Sequence, residues 1–194
     1  MYAIISVSLT AINWDLNKDV SRIVQRRVKN MVYRLAQESD IDEICKLIKA
    51  SICSMEEQGV FQWDDIYPER ADFLADIQKQ QLYVGVLDDE IAVVYTVNEE
   101  CEKEYENGRW KSPDCKYRII HRLCVDPAYQ NRGIAKGTLS HIEKELHKQN
   151  VRAIRLDVFS ENPFALSLYR NAGYDEVGFA DWRKGRFYLM EKLL

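Results

Sequence analysis

The stretch Gln130–Gly137, QNRGIAKG, follows the run RLCVDPAY and places two glycines, an alanine and two cations where a strand gives way to a helix. Glycine is a poor helix former, so its use at this corner needs a reason. The first N–H groups of a helix lack partners in the chain, and the helix dipole adds positive potential there. A phosphate satisfies both if small side chains let it reach the backbone. Gly133 and Ala135 clear such an approach, and Arg132 and Lys136 can add charge at its rim. A tight turn with solvated helix-start charges is the alternative. The spacing is neither the G-x-x-x-x-G-K-[ST] of a P-loop nor the G-x-G-x-x-G of a dinucleotide fold, which argues against nucleotide hydrolysis and hydride transfer.

Other chemistry-bearing residues are few. The five cysteines are odd in number and never form a C-x-x-C pair, so buried or incidental thiols in a reducing compartment explain them better than zinc or redox motifs. His141 and His147 are six apart on an expected helix and fall on different faces, so no metal site is expected. His121 lies in YRIIHRLCV, where two-residue alternation puts it on one face with Leu123 and Val125. An imidazole with a pKa near 6.5 can accept a proton or anchor a water chain, although a lone strand histidine is often structural.

These residues need elements to hold them. MVYRLA from Met31 reads as a strand, and 39–52 as a helix with apolar positions 41, 44, 45, 48 and 52 on one face. An aromatic loop, GVFQWDDIYP, leads into a second helix over 69–79. LYVGVL and IAVVYTV flank a short acidic turn as a hairpin, and a polar connection runs from Asn98 to Lys116. The strand 117–125 then precedes a helix from Gly133 to Asn150 with a stripe at 134, 135, 139, 142 and 146. AIRLDVF is the next strand, and NPFALSLYRNAG a helix opened by Pro163 and closed by Gly173. A hairpin around DWRKG completes the order β α α β β β α β α β β, an α/β domain with a mixed central sheet flanked by helices.

At 194 residues the chain fits one domain with an appendage. Residues 1–30 carry a net +3, which leaves −7 of the formal −4 to the remainder, and Met31 opens a segment that looks like a domain start. The expectation is an N-terminal extension over 1–30 and a single folded domain over 31–194. The acidic balance argues against a nucleic-acid partner, and no apolar run reaches the roughly 18 residues of a membrane span. Residues 1–13 are apolar but lack the charges and cleavage site of a signal peptide, so a cytoplasmic protein is expected.

The segment RLCVDPAYQNRGIAKG resembles the acetyl-CoA signature of the GNAT superfamily of N-acyltransferases, R/Q-x-x-G-x-G/A, through Gln130, Asn131, Arg132, Gly133, Ile134 and Ala135. The preceding strand ends in L-x-V-x-P (Leu123, Val125, Pro127). Downstream, NPFALSLYRNAGY resembles the family's second signature through Asn162, Ala165, Tyr169, Gly173 and Tyr174. The resemblance implies a mostly antiparallel sheet whose fourth and fifth strands splay apart. It implies acetyl-CoA as co-substrate, its pyrophosphate on the N–H groups from Arg132 to Lys136 and its pantetheine arm along Leu123, Cys124 and Val125. Asn162 aligns with an asparagine that contacts this arm or caps the helix, and Tyr169 with a tyrosine that acts as general acid toward the departing sulfur. Relatives often carry a glutamate where this chain has Ile119, which leaves the base to His121, Glu99, Glu100 or Tyr95.

The implied activity is transfer of an acetyl group from acetyl-CoA to a primary amine of a small molecule. A protein or peptide acceptor and a non-catalytic acyl-CoA-binding module are the alternatives, and a homodimer stays open. The 59–68 loop borders the acceptor side in this superfamily. Phe61, Trp63 and Tyr67 are expected as an apolar wall, with Asp64 and Asp65 drawing an ammonium group, or as a core plug with the aspartates in water. The glutamate-rich run EECEKEYE reads as a solvated loop or a lure for cationic acceptors.

Overall fold

Residues 31–194 are described by the computed structural model; the expected extension over 1–30 lies outside them. The strands are β1 (Val32–Leu35), β2 (Leu82–Leu87), β3 (Glu90–Asn98), β4 (Tyr117–Val125), β5 (Ala153–Phe159), β6 (Asp175–Trp182) and β7 (Gly185–Leu193). The helices are α1 (Ile41–Glu57), α2 (Arg70–Gln78), α3 (Ile134–Lys148) and α4 (Pro163–Asn171). Helix α1 runs five residues past its expected end, through the helix formers Met55, Glu56 and Glu57, and it stops just before Gly59 at φ +77°. On α3 the buried stripe is Ile134, Thr138, Leu139, Ile142 and Leu146, so Thr138 replaces Ala135 in the expected set. No helix among the described residues is long and apolar enough to cross a membrane.

The strands form one sheet in the order β1-β2-β3-β4-β5-β7-β6. Every pairing is antiparallel except β4 with β5. That parallel ladder joins Tyr117, Arg118 and Ile119 to Ala153, Ile154 and Arg155, and beyond it the two strands separate. Ile120, Leu156 and Val158 pack with Leu139, Leu166 and Tyr169 of α3 and α4. On the opposite face Val94 and Cys124 pack with Ile44, Ile48 and Phe73 of α1 and α2.

A bulge in β4 decides which residues face which layer. Val94 pairs with Cys124 and Thr96 with His121, so Tyr95 alone opposes both Arg122 and Leu123. Arg122 takes φ +53°, and the alternation restarts after it. His121 therefore shares the α1/α2 face with Ile119 and Cys124, while Leu123 packs toward α3. This corrects the expected common face of His121, Leu123 and Val125; sequence alternation does not register an inserted residue.

The polar connection before β4 is pinned by an apolar anchor. Within its short turn, Lys103–Asn107, Tyr105 is buried against Ile119 and Leu189. The connection lies against β6 at Gly178, where an added Cβ would stand 2.7 Å from the Asn107 carbonyl oxygen. Beneath it, Arg155 Nε donates to Glu191 Oε1 at 3.0 Å, and Glu191 Oε2 accepts the Lys111 N–H at 2.7 Å.

Candidate functional site

One cleft of about 1650 Å³ runs through the fork between β4 and β5, from the start of α3 to the 59–68 loop. At one end, the Asp126 side chain accepts the Ala128 N–H at 2.7 Å and ends β4 in a short turn over Pro127–Tyr129. Gln130 Nε2 donates back to the Val125 carbonyl at 3.2 Å, and Arg132 stacks over the Tyr129 ring. Asn131 and Gly133 take φ +59° and +75°, which turns the chain sharply into the helix. The helical ladder begins with Gly137 N–H to Gly133 C=O, so the N–H groups of Ile134, Ala135 and Lys136 have no helical acceptor. A Cβ at Gly133 would meet nothing within 4 Å, because the corner opens on the cleft. Gln130, Asn131, Gly133, Ile134, Ala135 and Lys136 line this end, with Leu123, Cys124 and Val125 along the β4 wall. An open corner of unpaired N–H groups at a helix start is of the kind that takes an anionic group.

At the fork, side chains approach from both faces. Tyr169 of α4 enters from the α3/α4 layer, edge-on to Tyr174 with ring centroids 5.5 Å apart. Burial first, and the charge of Asp157 second, push its phenol pKa up, so it keeps its proton at neutral pH. From the α1/α2 face come His121 on β4 and Asp157 on β5. His121 Nε2 lies 2.9 Å from Asn98 Oδ1. The Asn98 amide nitrogen donates to Gln81, so its oxygen is the acceptor and Nε2 carries the proton. Burial lowers the His121 pKa, so the ring is neutral at pH 7. Asp157 Oδ1 accepts the Tyr105 hydroxyl at 2.8 Å, and burial raises its carboxyl pKa.

Sequence reasoning missed Asp157, Tyr105 and the Arg122–Asp76 pair. The available signal was in AIRLDVF, where Arg155 and Asp157 interrupt an apolar strand on a single face. Asp76 is buried, accepts the Thr96 hydroxyl at 2.7 Å and pairs with Arg122. The Arg122 guanidinium stands over the rings of Phe73 and Tyr67. The other base candidates are engaged elsewhere. Glu99 pairs with Arg118, Glu100 lies 2.8 Å from Lys79, and Tyr95 stacks on Tyr83 in the α3 layer.

The other end of the cleft is bordered by the 59–68 loop through Val60, Gln62, Trp63 and Tyr67. Trp63 is buried in the α1/α2 core and Tyr67 lies beside Arg122; both line the cleft. Phe61 is 56% exposed and does not line it, so the expected three-ring wall is reduced to two. Asp64 binds Arg183 through both carboxylate oxygens, at 2.8 and 3.0 Å, and Lys184 at 3.1 Å. The expectation that Asp64 draws an acceptor ammonium is corrected, because these cations already hold its carboxyl well below the usual range. Asn162 caps α4 by accepting the Ala165 N–H at 3.0 Å, and its amide donates to Gln62, tying the loop to this helix.

The acetyltransferase (GNAT) family matches residues 51–174. The chain is 35% identical over 58 residues to the [ribosomal protein bS18]-alanine N-acetyltransferase of Escherichia coli (strain K12), a match spanning 30% of this chain and 39% of that enzyme. An acetyltransferase of the GNAT family from Streptococcus agalactiae 2603 superposes with a TM-score of 0.75 at 25% identity, covering 84% of this chain and 95% of that one. The PaiA N-acetyltransferase of Thermoplasma acidophilum, solved in complex with coenzyme A, shares the fold with a TM-score of 0.63 at 16% identity, over 85% of this chain and 99% of that one.

Proposed function

The chain belongs to the acetyltransferase (GNAT) family, and on that premise we propose that it transfers an acetyl group from acetyl-CoA to a primary amine of a small molecule. The observation that carries this reading is the single cleft that joins the anion cradle at Gly133 to the β4–β5 fork and the roofed chamber beyond. The unpaired N–H groups of residues 134–136 hold the pyrophosphate, with Arg132 and Lys136 at the rim. The β4 edge at Leu123, Cys124 and Val125, unpaired on the β5 side, accepts the pantetheine arm as an added strand. Bound there, acetyl-CoA supplies an activated acyl carbon at the fork.

An alkyl ammonium with a pKa of about 10.4 is neutral in only about one molecule per two to three thousand at pH 7, so deprotonation costs roughly 4 to 5 kcal/mol. Attack therefore needs a base on the acceptor side, and departure of the thiolate is eased by a proton donor on the donor side. Tyr169 holds such a proton on the α3/α4 face. The negative charge of Asp157 is one of the two causes that raise the Tyr169 pKa, so neutralising that carboxylate makes the phenol a better donor.

The acceptor chamber favours a small amine. Asp64 joins the 59–68 loop to Arg183 and Lys184 on the β6–β7 turn, and Gln62 joins it to α4, which closes the roof that an extended peptide would have to cross. A peptide N-terminus is the second reading, favoured by the identity to an enzyme that acetylates a ribosomal-protein alanine. Thiol release from acetyl-CoA, measured against small amines and alanine-initiated peptides, separates the two. Release with small amines is the expected result. Release with peptides alone transfers the function to the second reading, and tight CoA binding without release from any amine leaves only an acyl-CoA-binding module.

A further inference from the structure

The parallel register of β4 and β5 ends at Ile119 opposite Arg155. Continuing it by two residues brings His121 and Asp157 to the same face, one on each side of the opening fork. Asp157 thus stands two residues beyond the end of the ladder and lines the cleft, as does Tyr169, which packs on the other face. Of its two oxygens, Oδ1 accepts the Tyr105 hydroxyl, and the residue lines the cleft.

We propose that Asp157 is the general base of the transfer, binding the acceptor ammonium on the α1/α2 face of the fork and taking its proton. The assignment rests on the acetyl-transfer reading above. Tyr105 fixes the carboxylate from behind: its ring is clamped by Ile119, Ala180 and Leu189, and burial keeps its phenol protonated. Of the other acidic cleft residues, Asp76 pairs with Arg122, Glu100 with Lys79, and Asp72 accepts the Glu69 N–H, while Glu102 stands close enough to Asp157 to help raise its pKa. His121 is the weaker candidate, because its Nε2–H is committed to Asn98 and its pKa lies below that of a free imidazole.

The balance of the step is R–NH3⁺ + acetyl-S-CoA → R–NH–acetyl + CoA-SH + H⁺. Asp157 accepts the first ammonium proton. The freed nitrogen lone pair forms the C–N bond while the C–S bond breaks, and the Tyr169 hydroxyl gives its proton to sulfur. The second nitrogen proton returns to Tyr169 through solvent, and Asp157 releases the first to bulk water. A one-carboxylate base of this kind suits a cationic acceptor, since the same oxygen that removes the proton first binds the charge.

The pH dependence follows from the groups that face Asp157: Tyr105 and Glu102 from the connection before β4, His121 from β4, Tyr67 from the 59–68 loop and Tyr169 from α4. Burial is the largest influence on Asp157 and raises its pKa, so the folded state binds its proton more tightly than the unfolded state. Stability from this group is therefore present at low pH and lost as pH rises through the folded pKa. Asp157→Asn keeps an oxygen for Tyr105 to donate to and removes the buried charge.

The test is Asp157→Asn, with acetyl-CoA and the best amine from the screen. Expected are a kcat lowered about 10² to 10⁴-fold, as for loss of a general base, a CoA dissociation constant by calorimetry within twofold of wild type, and a thermal midpoint at pH 7.5 no lower than wild type. The acid limb of the wild-type kcat/KM profile should lie above the ordinary aspartate range and vanish in the variant. Retention of kcat within threefold overturns the proposal, as does a loss of activity that comes with a lowered midpoint and lost CoA binding. If Asp157→Asn does not fold, Asp157→Glu decides: a kcat down at least tenfold with a displaced limb supports the base, and an unchanged kcat and limb overturns it. Absence of release by the wild-type protein with every amine would sink the acetyl-transfer reading itself, and this inference with it, whereas an active wild type with an equally active variant removes only Asp157.

Discussion

Gly133→Ala tests the anion cradle with a single methyl group. The residue sits at φ +75°, where an L side chain costs about 1–2 kcal/mol. The new Cβ meets no protein atom within 4 Å, so no clash adds to that strain. In a domain of this size 1 kcal/mol moves the thermal midpoint by about 2–4 °C, so the expected fall is about 2–8 °C. The methyl stands in the open corner where phosphate would lie, and relief of the strain turns the following N–H groups away from it. Loss of one hydrogen bond to a charged phosphate is worth about 1.5–3 kcal/mol, which weakens CoA binding about 10- to 150-fold. Calorimetry with CoA and thermal unfolding without ligand measure the two effects separately. Turnover with acetyl-pantetheine, which has no pyrophosphate, is expected to match wild type. A midpoint that falls as calculated while CoA affinity stays within twofold would refute the cradle and leave Gly133 a turn residue alone.

Tyr169→Phe should lower turnover far more than CoA affinity, since it removes a proton donor and keeps the packing against Tyr174; equal turnover in a steady-state assay removes Tyr169 from the acid role. Asp64→Ala unties the 59–68 loop from Arg183 and Lys184. The acceptor KM should rise severalfold with CoA affinity unchanged, and the difference should shrink in high salt, where exposed pairs are screened; a KM independent of both variant and salt contradicts the roof. Glu191→Gln leaves Arg155 buried without its counter-charge, at a cost of about 3–5 kcal/mol, or a fall of roughly 6–20 °C in the midpoint by scanning calorimetry. A shift under 2 °C would mean that the stacked Trp110 and Tyr117 rings alone satisfy the guanidinium.

The glycine corner and the element order were legible in the sequence because they depend on local rules. Helix spacing, strand alternation and the caps at Pro163 and Gly173 act over a few residues, and a backbone cradle needs glycine at a position that the sequence displays directly. Asn162 was readable for the same reason, since a cap lies three residues from the N–H it accepts. The resemblance of residues 117–174 to the family signatures covered that same local machinery.

The far end of the cleft depends on contacts between residues far apart in the chain. Tyr105 and Asp157 are 52 positions apart, and Arg122 and Asp76 are 46 apart. No spacing rule joins them. Asp64 carries the same charge whether it waits for an ammonium or holds Arg183, 119 residues away, and only the packing of the loop on the β6–β7 turn chose the second. The one-residue bulge at Arg122 is the clearest case. By itself the sequence determined the strand, the glycine corner that follows it and the family. The tertiary structure decided which face His121 looks from, because the register of β4 is set by its long-range pairing with β3.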